Sequence, residues 1–575
     1  MSSTEPSSLQ DIQALQANLV PLQPLDLKAK QIRILHLLPG QGDDPIRCEL
    51  YPAYLSDQPY YEALSYVWGD PKVVKPIFLE DRQVQVTTNL EAALRALRLR
   101  EETRHMWVDA LCINQTDDAE KTHQVNLMSE IYKGTALALL WLGSITADAQ
   151  EYEDEESGSK ISYIDAANAF DFIRKAAEAG DDGHFVFDED SREAGAIQAT
   201  LDSCYALWRL VGLSWWHRIW TVQEAVLPRK AIILCDSLKL DWSTFVMASK
   251  TIKKHDEKEC CIDLSSAQGL YLLSFWSSVN QIEYCRGTHL KFIDALRVHN
   301  KRTAGDSRDY LYALLGLDTD WGAQLSVLVD YSLSPQEVFY RMTTGLIRLS
   351  NNLTPLIRLR QPSTDALLPT WVNDLSAAAD SSGVIFQRYD RYSASKGMAL
   401  SVGFSPQREL KSRGILVDEV ERISDPYDLT RKDEIYRQWI ELLELDDVKG
   451  RNRPYPTGRS SYLEAFHRLI SDGLDRDFSV ADWLDGVVSF YESKNIWNSC
   501  LFITKKNLIG LGYKHMRVGD MVHVLFGGNY PFLLRPIKEG RDKGCYTYIG
   551  HCYVQGIMHG EAVQDDDKGE VFTIV

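Results

Sequence analysis

The chain lacks a basic surplus, a long apolar run and a cysteine framework. Its 575 residues carry 62 Lys and Arg against 81 Asp and Glu, a net charge of −19. That balance excludes bulk electrostatic attraction to nucleic acid or to an anionic membrane. The longest strongly apolar run, Ala136 to Leu142, is far too short to cross a bilayer, so no membrane span is expected. Met1 to Asn18 is polar, with no basic segment leading into an apolar one, and reads as no secretory signal. Ten cysteines are scattered without a CxxC pair, which fits reduced thiols in the cytoplasm. Cys545, His551, Cys552 and His559 match no zinc spacing and follow from strand alternation, so no metal is expected. There is no Walker loop, no GxGxxG after a strand, no HExxH, no GxSxG elbow and no kinase signature set. No cofactor is therefore expected.

What is present begins with an aromatic stretch, Trp215-Trp216-His217-Arg218-Ile219-Trp220-Thr221-Val222-Gln223-Glu224. Read as one helix, it sets Ile219, Val222 and Val226 on an apolar face and leaves Trp220 and Glu224 one turn apart beside it. Three tryptophans in six residues make a costly surface, so the stretch is packed or lines a cleft.

Around it, strands and helices alternate. Residues 1–27 read as a mobile lead rich in Ser, Gln and Pro. Gln31 to Leu38 and Ile46 to Tyr51 are two short strands, and Glu62 to Val67 is a third that ends at the breaker Trp68-Gly69-Asp70-Pro71. Ile77 to Leu79 and Val84 to Val86 form an inserted hairpin. Thr88 with Glu91 reads as a capping box, and Asp117 with Glu120 as a second capping pair. Met106 to Cys112 is an apolar strand interrupted by Asp109; Ala136 to Leu142 is a central strand, and Ala231 to Cys235 follows the aromatic stretch. This alternation predicts an α/β fold with an open, mainly parallel sheet over about residues 28–240. An acidic insertion at about 144–200, with a helix over Ile161 to Ala177, is expected on its periphery. A mainly helical region over 241–395 and a mixed, strand-rich domain over 396–575 complete the chain.

Ligands of such sheets sit outside the carboxyl ends of the strands. Ser65, Tyr66 and Trp68 follow one strand, Asp109, Asn114 and Gln115 another, and Trp220 with Glu224 precede a third. Polar and flat aromatic groups together suit a pocket for a sugar and a base. Spacing alone favours a structural role: core aromatics, a loop-orienting Asp109 and an exposed Glu224. His217 can serve as an acid or base but more commonly packs.

Three stretches resemble the motifs of the fungal heterokaryon incompatibility (HET) domain. They are Tyr61-Glu62-Ala63-Leu64-Ser65-Tyr66-Val67-Trp68-Gly69, then Trp107-Val108-Asp109-Ala110-Leu111-Cys112-Ile113-Asn114-Gln115, and then Arg218 to Glu224. Gln124, Met128 and Ile131-Tyr132 follow the second in the usual places, although Lys121 stands where arginine is common and Gly134-Thr135 replaces a small polar residue and alanine. Arg308-Asp309-Tyr310 with Ala313 to Gly316, and Leu368 to Val372, resemble downstream segments of such proteins. The resemblance implies a TIR- or flavodoxin-like sheet and a role in fungal non-self recognition and programmed cell death. It also implies a protein partner or self-assembly through the HET domain. Through the remote likeness of HET to TIR domains, some of which cleave NAD with a glutamate four residues after a tryptophan, it singles out Glu224 as catalytic and NAD as substrate. Ser65, Tyr66, Trp68, Asp109, Asn114, Gln115 and Trp220 are then the substrate-binding candidates. A non-enzymatic incompatibility or signalling module that recognises an allelic partner through the C-terminal half is the alternative, as is an accessory protein with a drifted ligand site.

Overall fold

A computed structural model describes residues 22–146, 160–180, 194–258, 266–286, 290–317, 329–379, 391–458, 460–470, 498–564 and 568–575. The chain forms two compact units that meet in sequence at Ser334/Pro335. The division falls inside the region read as helical from sequence.

In the first unit the strands are β1 (Gln31–Leu37), β2 (Arg47–Tyr54), β3 (Glu62–Ser65), β4 (Val74–Leu79), β5 (Arg82–Thr87), β6 (Arg104–Trp107), β7 (Leu137–Trp141), β8 (Ala231–Cys235) and β9 (Leu238–Asp241). They form one sheet in the order β9-β8-β7-β3-β6-β1-β2-β4-β5. The four central strands β8, β7, β3 and β6 are mutually parallel. On either side of this core β9 and β1 join antiparallel to β8 and β6, while β4 joins β2 in parallel, so the sheet is mixed around a parallel core. β7, Leu-Ala-Leu-Leu-Trp, lies inside because every side chain is apolar and both sheet faces are covered. The β4–β5 hairpin turns at Glu80 and Asp81, both at positive φ, and extends the sheet beside β2.

Helices α1 (Thr88–Leu97), α2 (Asp109–Cys112) and α3 (Asp118–Gly134) connect the early strands. Three local expectations change. Thr87, not Thr88, is the N-cap of α1, and no side chain caps it. Buried Glu91 instead pairs with Arg95 and Lys75, because charge-assisted bonds outcompete a neutral cap. The strand read over Met106 to Cys112 ends at Trp107, where Asp109 opens α2 and its Oδ1 accepts from the Ala110 amide at 2.7 Å. Asp117 does cap α3, but Glu120 is buried against Arg33 at 2.6 Å.

The described helix of the insertion, α4 (Tyr163–Ala179), is built into a helical layer: it buries Ala166, Ala169, Phe170 and Ile173 and packs with α5 (Ala194–Val211) and α7 (Trp242–Glu257), and α8 (Ala267–Tyr284) packs with both of those. α6 (Trp220–Val226) lies between α5 and α7 in the chain. The acidic patches at 151–156 and 181–190, and the Cys260-Cys261 pair, lie outside the described residues. Of the lead, residues 22–27 are described; Leu25 is buried and the Gln23 carbonyl accepts from Arg33. Two shorter helices, α9 (Phe292–Val298) and α10 (Asp309–Leu315), close the unit.

The second unit is strand-rich as expected. Its long strand β10 (Leu410–Pro426) is followed by β11 (Ser499–Thr504), β12 (Ile509–Tyr513), β13 (Met521–Leu525), β14 (Phe532–Pro536), β15 (Tyr546–His551) and β16 (Glu570–Ile574). β10 pairs with β16 through its first residues, with β13 through its middle and with β11 through its end. Because β13, β14, β15 and β16 pair in succession, β10 closes them into a ring. Closure removes the exposed strand edges that an open sheet would leave. His551 bonds the Tyr513 hydroxyl and the Cys552 thiol the Pro531 carbonyl. Among the described residues no helix is long and apolar enough to cross a membrane, and no group of three His, Cys, Asp or Glu is gathered for a metal.

Candidate functional site

The aromatic stretch is not one helix. Ser214–His217 is a 3-10 turn, Arg218 is extended (φ −74°, ψ 135°), and α6 begins at Trp220. The break has a partner: Thr303 donates its amide to His217 O at 2.6 Å, and its carbonyl accepts from Ile219 N at 2.9 Å. Trp215 and Trp216 are buried against each other edge-to-face, with ring centroids 5.1 Å apart. Every residue of α6 is buried, so Glu224 is an interior acid, not the exposed one that spacing suggested.

Parallel registry places the site. Ser65 pairs with Leu140 and Ala63 with Trp107, so β3 and β6 end side by side and deliver Ser65 and Asp109 to the same edge. The Ser65 hydroxyl donates to Glu224 Oε2 at 2.5 Å and accepts from Trp215 Nε1 at 2.9 Å. Glu224 Oε1 takes no hydrogen bond among the described residues. Burial raises the Glu224 carboxyl to about 7, with Asp109 adding to the rise and Arg218 and the Ser65 bond opposing it.

A cleft of about 340 Å³ opens beside Glu224, within the range of small-molecule sites. Trp68, Asp109, Gln115 and Trp220 line it. Asp109 Oδ2 accepts from Trp68 Nε1 at 2.7 Å and lies 3.8 Å from Arg218. Burial pushes the Asp109 carboxyl up, against the pull of Arg218 and the Trp68 bond. Gly69, at φ +83°, turns the chain away immediately after Trp68.

Three expected binding residues are elsewhere. Ser65 lies beneath Glu224 with its hydroxyl engaged on both sides, and Tyr66 is buried, its phenol pushed well up by burial and then by Asp109. Asn114 forms a turn, its Oδ1 accepting from Thr116. His217 also lies off the cleft walls, and burial lowers its pKa.

Other wall residues were not singled out as site residues from sequence. Arg218 projects into the cleft because its extended backbone lets it reach Tyr66 O at 2.5 Å. Burial would lower its pKa, but Glu224 and Asp109 outweigh that and raise it. The opposite wall is Thr303 to Asp306 with Asp309, Tyr331 and Lys121. Asp309 accepts from Tyr331 at 2.6 Å, and burial raises its carboxyl. Asp306 is clamped by Arg308 at 2.6 Å, and Lys121 lies 4.1 Å above the Tyr331 ring. The signal in the sequence was Arg308-Asp309-Tyr310; nothing in spacing ties it to Glu224.

Gly316 lets α10 lie against α6. A Cβ there would come within 2.7 Å of the Gln223 side-chain amide, which is itself fixed between Ala313 O and Ser129 N. Gly316→Ala is therefore expected to lower stability by about 1–3 kcal/mol, read as a lower urea midpoint.

The second unit holds a larger cavity of about 890 Å³, lined in part by Lys514, His515, Arg517 and Arg535 together with Asp365 and Asp542.

The model of the heterokaryon incompatibility protein (HET) family matches residues 61–224, and that of the Het-6 beta-barrel domain matches 429–574. The cleft-wall residues Thr303 to Asp306, Asp309 and Tyr331 and the closing strand β10 fall outside both spans. The chain is similar to "Heterokaryon incompatibility protein 6, OR allele" of Neurospora crassa, with 22% identity over 661 residues covering 94% of this chain and 96% of that protein. No solved structure matches it. The three motifs that converge on the Glu224 cleft are thus those of the matched family: the chain carries a heterokaryon incompatibility (HET) domain at residues 61–224 and a Het-6 beta-barrel domain at 429–574.

Proposed function

We propose that the protein is a cytoplasmic effector of fungal non-self recognition and programmed cell death that cleaves NAD at the nicotinamide–ribose bond, with Glu224 as the acting carboxylate. One observation carries the reading. A buried carboxyl with an uncommitted oxygen lines a cleft at the carboxyl ends of parallel strands. Breaking that bond develops an oxocarbenium-like cation, which an adjacent carboxylate stabilises. Nicotinamide leaves neutral with the bonding electron pair, water adds to ribose C1, and one proton is released, so no strong general acid is needed. The walls suit a cationic nicotinamide ring: Asp109, Glu224, Asp306 and Asp309 line the cleft against Arg218 and Lys121. Trp68 and Trp220 offer flat surfaces to a ring.

The test is nicotinamide release from NAD by purified full-length protein, both dilute and assembled, together with NAD depletion in expressing cells. Wild type is expected to deplete NAD and Glu224→Gln to spare it; equal turnover removes Glu224 from the mechanism.

The second unit favours a further reading, partner recognition, on its closed barrel and its 890 Å³ cavity. Exchange of residues 396–575 with those of a relative is expected to change which partner triggers toxicity, whatever residue stands at 224. Unchanged partner choice refutes it.

A further inference from the structure

Four carboxylates line the Glu224 cleft, and two of them are fully committed. Asp109 has one oxygen on the Ala110 amide and the other on Trp68 Nε1. Asp306 has both oxygens on Arg308. Glu224 is held only through Oε2. Asp309 takes one hydrogen bond among the described residues, from the Tyr331 hydroxyl to Oδ1 at 2.6 Å, and its Oδ2 takes none. Acceptor capacity therefore remains on two acids, Glu224 and Asp309.

These two flank one side chain. Trp220 lies one helical turn before Glu224 on α6, and its indole lies close enough to Asp309 on α10 to favour the charged carboxylate. Tyr331 donates to Oδ1 and so orients the Asp309 carboxylate, leaving Oδ2 to accept from a ligand's hydroxyls. Ser65 and Asn114, the other groups with chemistry suited to a sugar, are spent on Glu224 and on a turn.

We propose that Asp309 is the sugar-hydroxyl acceptor of this cleft, and that its ligand is a riboside whose vicinal hydroxyls reach Asp309 when its glycosidic carbon lies at Glu224. The proposal rests on the cleavage reading for the choice of substrate and adds a specificity residue that lies outside the matched HET span.

Titration calorimetry on the full chain, with nicotinamide riboside and its 2′-deoxy counterpart as probes, tests it without turnover. Wild type is expected to bind the riboside about 10- to 100-fold more tightly, the worth of one hydrogen bond to a charged group. Asp309→Asn, whose fold is checked by circular dichroism, is expected to lose most of that preference. Tyr331→Phe, which keeps the carboxylate but removes its donor, is expected to retain most of it. Equal binding of the two probes by wild type, no riboside binding, or an unchanged preference in Asp309→Asn overturns the proposal. A preference that depends on Asp309 in a protein that releases no nicotinamide supports it while sinking the cleavage reading. Cleavage of NAD that is indifferent to the 2′-hydroxyl overturns it alone.

Discussion

Glu224→Gln is expected to cut nicotinamide release by about three orders of magnitude while making the protein harder to unfold above neutral pH. Both effects have one cause. Burial holds the Glu224 carboxyl at about 7, against an ordinary value near 4.5 in the unfolded chain. The folded state thus binds the proton more tightly than the unfolded state. Its stabilising contribution is complete below about pH 4.5 and is lost as pH rises through about 7. Ionised Glu224 therefore costs up to about 3 kcal/mol of stability at alkaline pH. Gln keeps the oxygen that accepts from Ser65 and removes the charge. Wild-type turnover should rise through about pH 7 as the carboxylate forms, and stability should fall over the same interval. Denaturant melts at pH 5 and pH 8.5 check the second half: the variant should gain on wild type only at the higher pH. A constant difference at both values contradicts the buried-charge account.

The second large effect is expected at Arg218. Its guanidinium lies 3.8 Å from Asp109, it opposes the upward shift of both acids, and it bonds the Tyr66 carbonyl. Arg218→Met keeps much of the stem volume and removes the charge. Two buried carboxyls then lose their cation, so each holds its proton to higher pH. The activity midpoint should move up from about 7, by roughly one unit or more. Breaking an ion pair whose side chains are only partly buried should cost about 2–3 kcal/mol, toward or below the lower end of what fully buried pairs cost. The pH–rate profile and urea melts read the two consequences separately. A loss of rate with an unmoved midpoint would mean that Arg218 holds the cleft wall without tuning Glu224.

Much of the sheet was legible because its causes are local. The continuous apolarity of Leu137–Trp141 and Ala231–Cys235 marks strands buried on both faces, and Gly69 marks the turn that ends the first motif. Misreadings came where a residue's partner is distant in sequence. Arg218 looks helical until Thr303 pairs with its neighbours and pulls it extended. Asp109 looks like an intrusion in a strand until Trp68 and the Ala110 amide are found at its two oxygens. Glu91 looks like a cap until Lys75 and Arg95 claim it. The insertion's helix α4 looks peripheral because its own sequence does not reveal that α5 and α7 will pack on it.

The sequence by itself determined which residues are chemically able to act: three motifs, one carboxylate four residues after a tryptophan, and no metal or phosphate-loop pattern. Periodicity and residue type are properties of short segments, and these survive without the fold. Only the tertiary structure decided which of those residues meet. Ser65, read as a binding residue, became the group that holds Glu224, because parallel registry sets β3 beneath α6. Asp309, 85 residues after Glu224 in sequence, became part of its cleft because Gly316 lets α10 lie against α6. The raised pKa of Glu224 belongs to the same class of fact, since burial that only packing can impose is its largest cause.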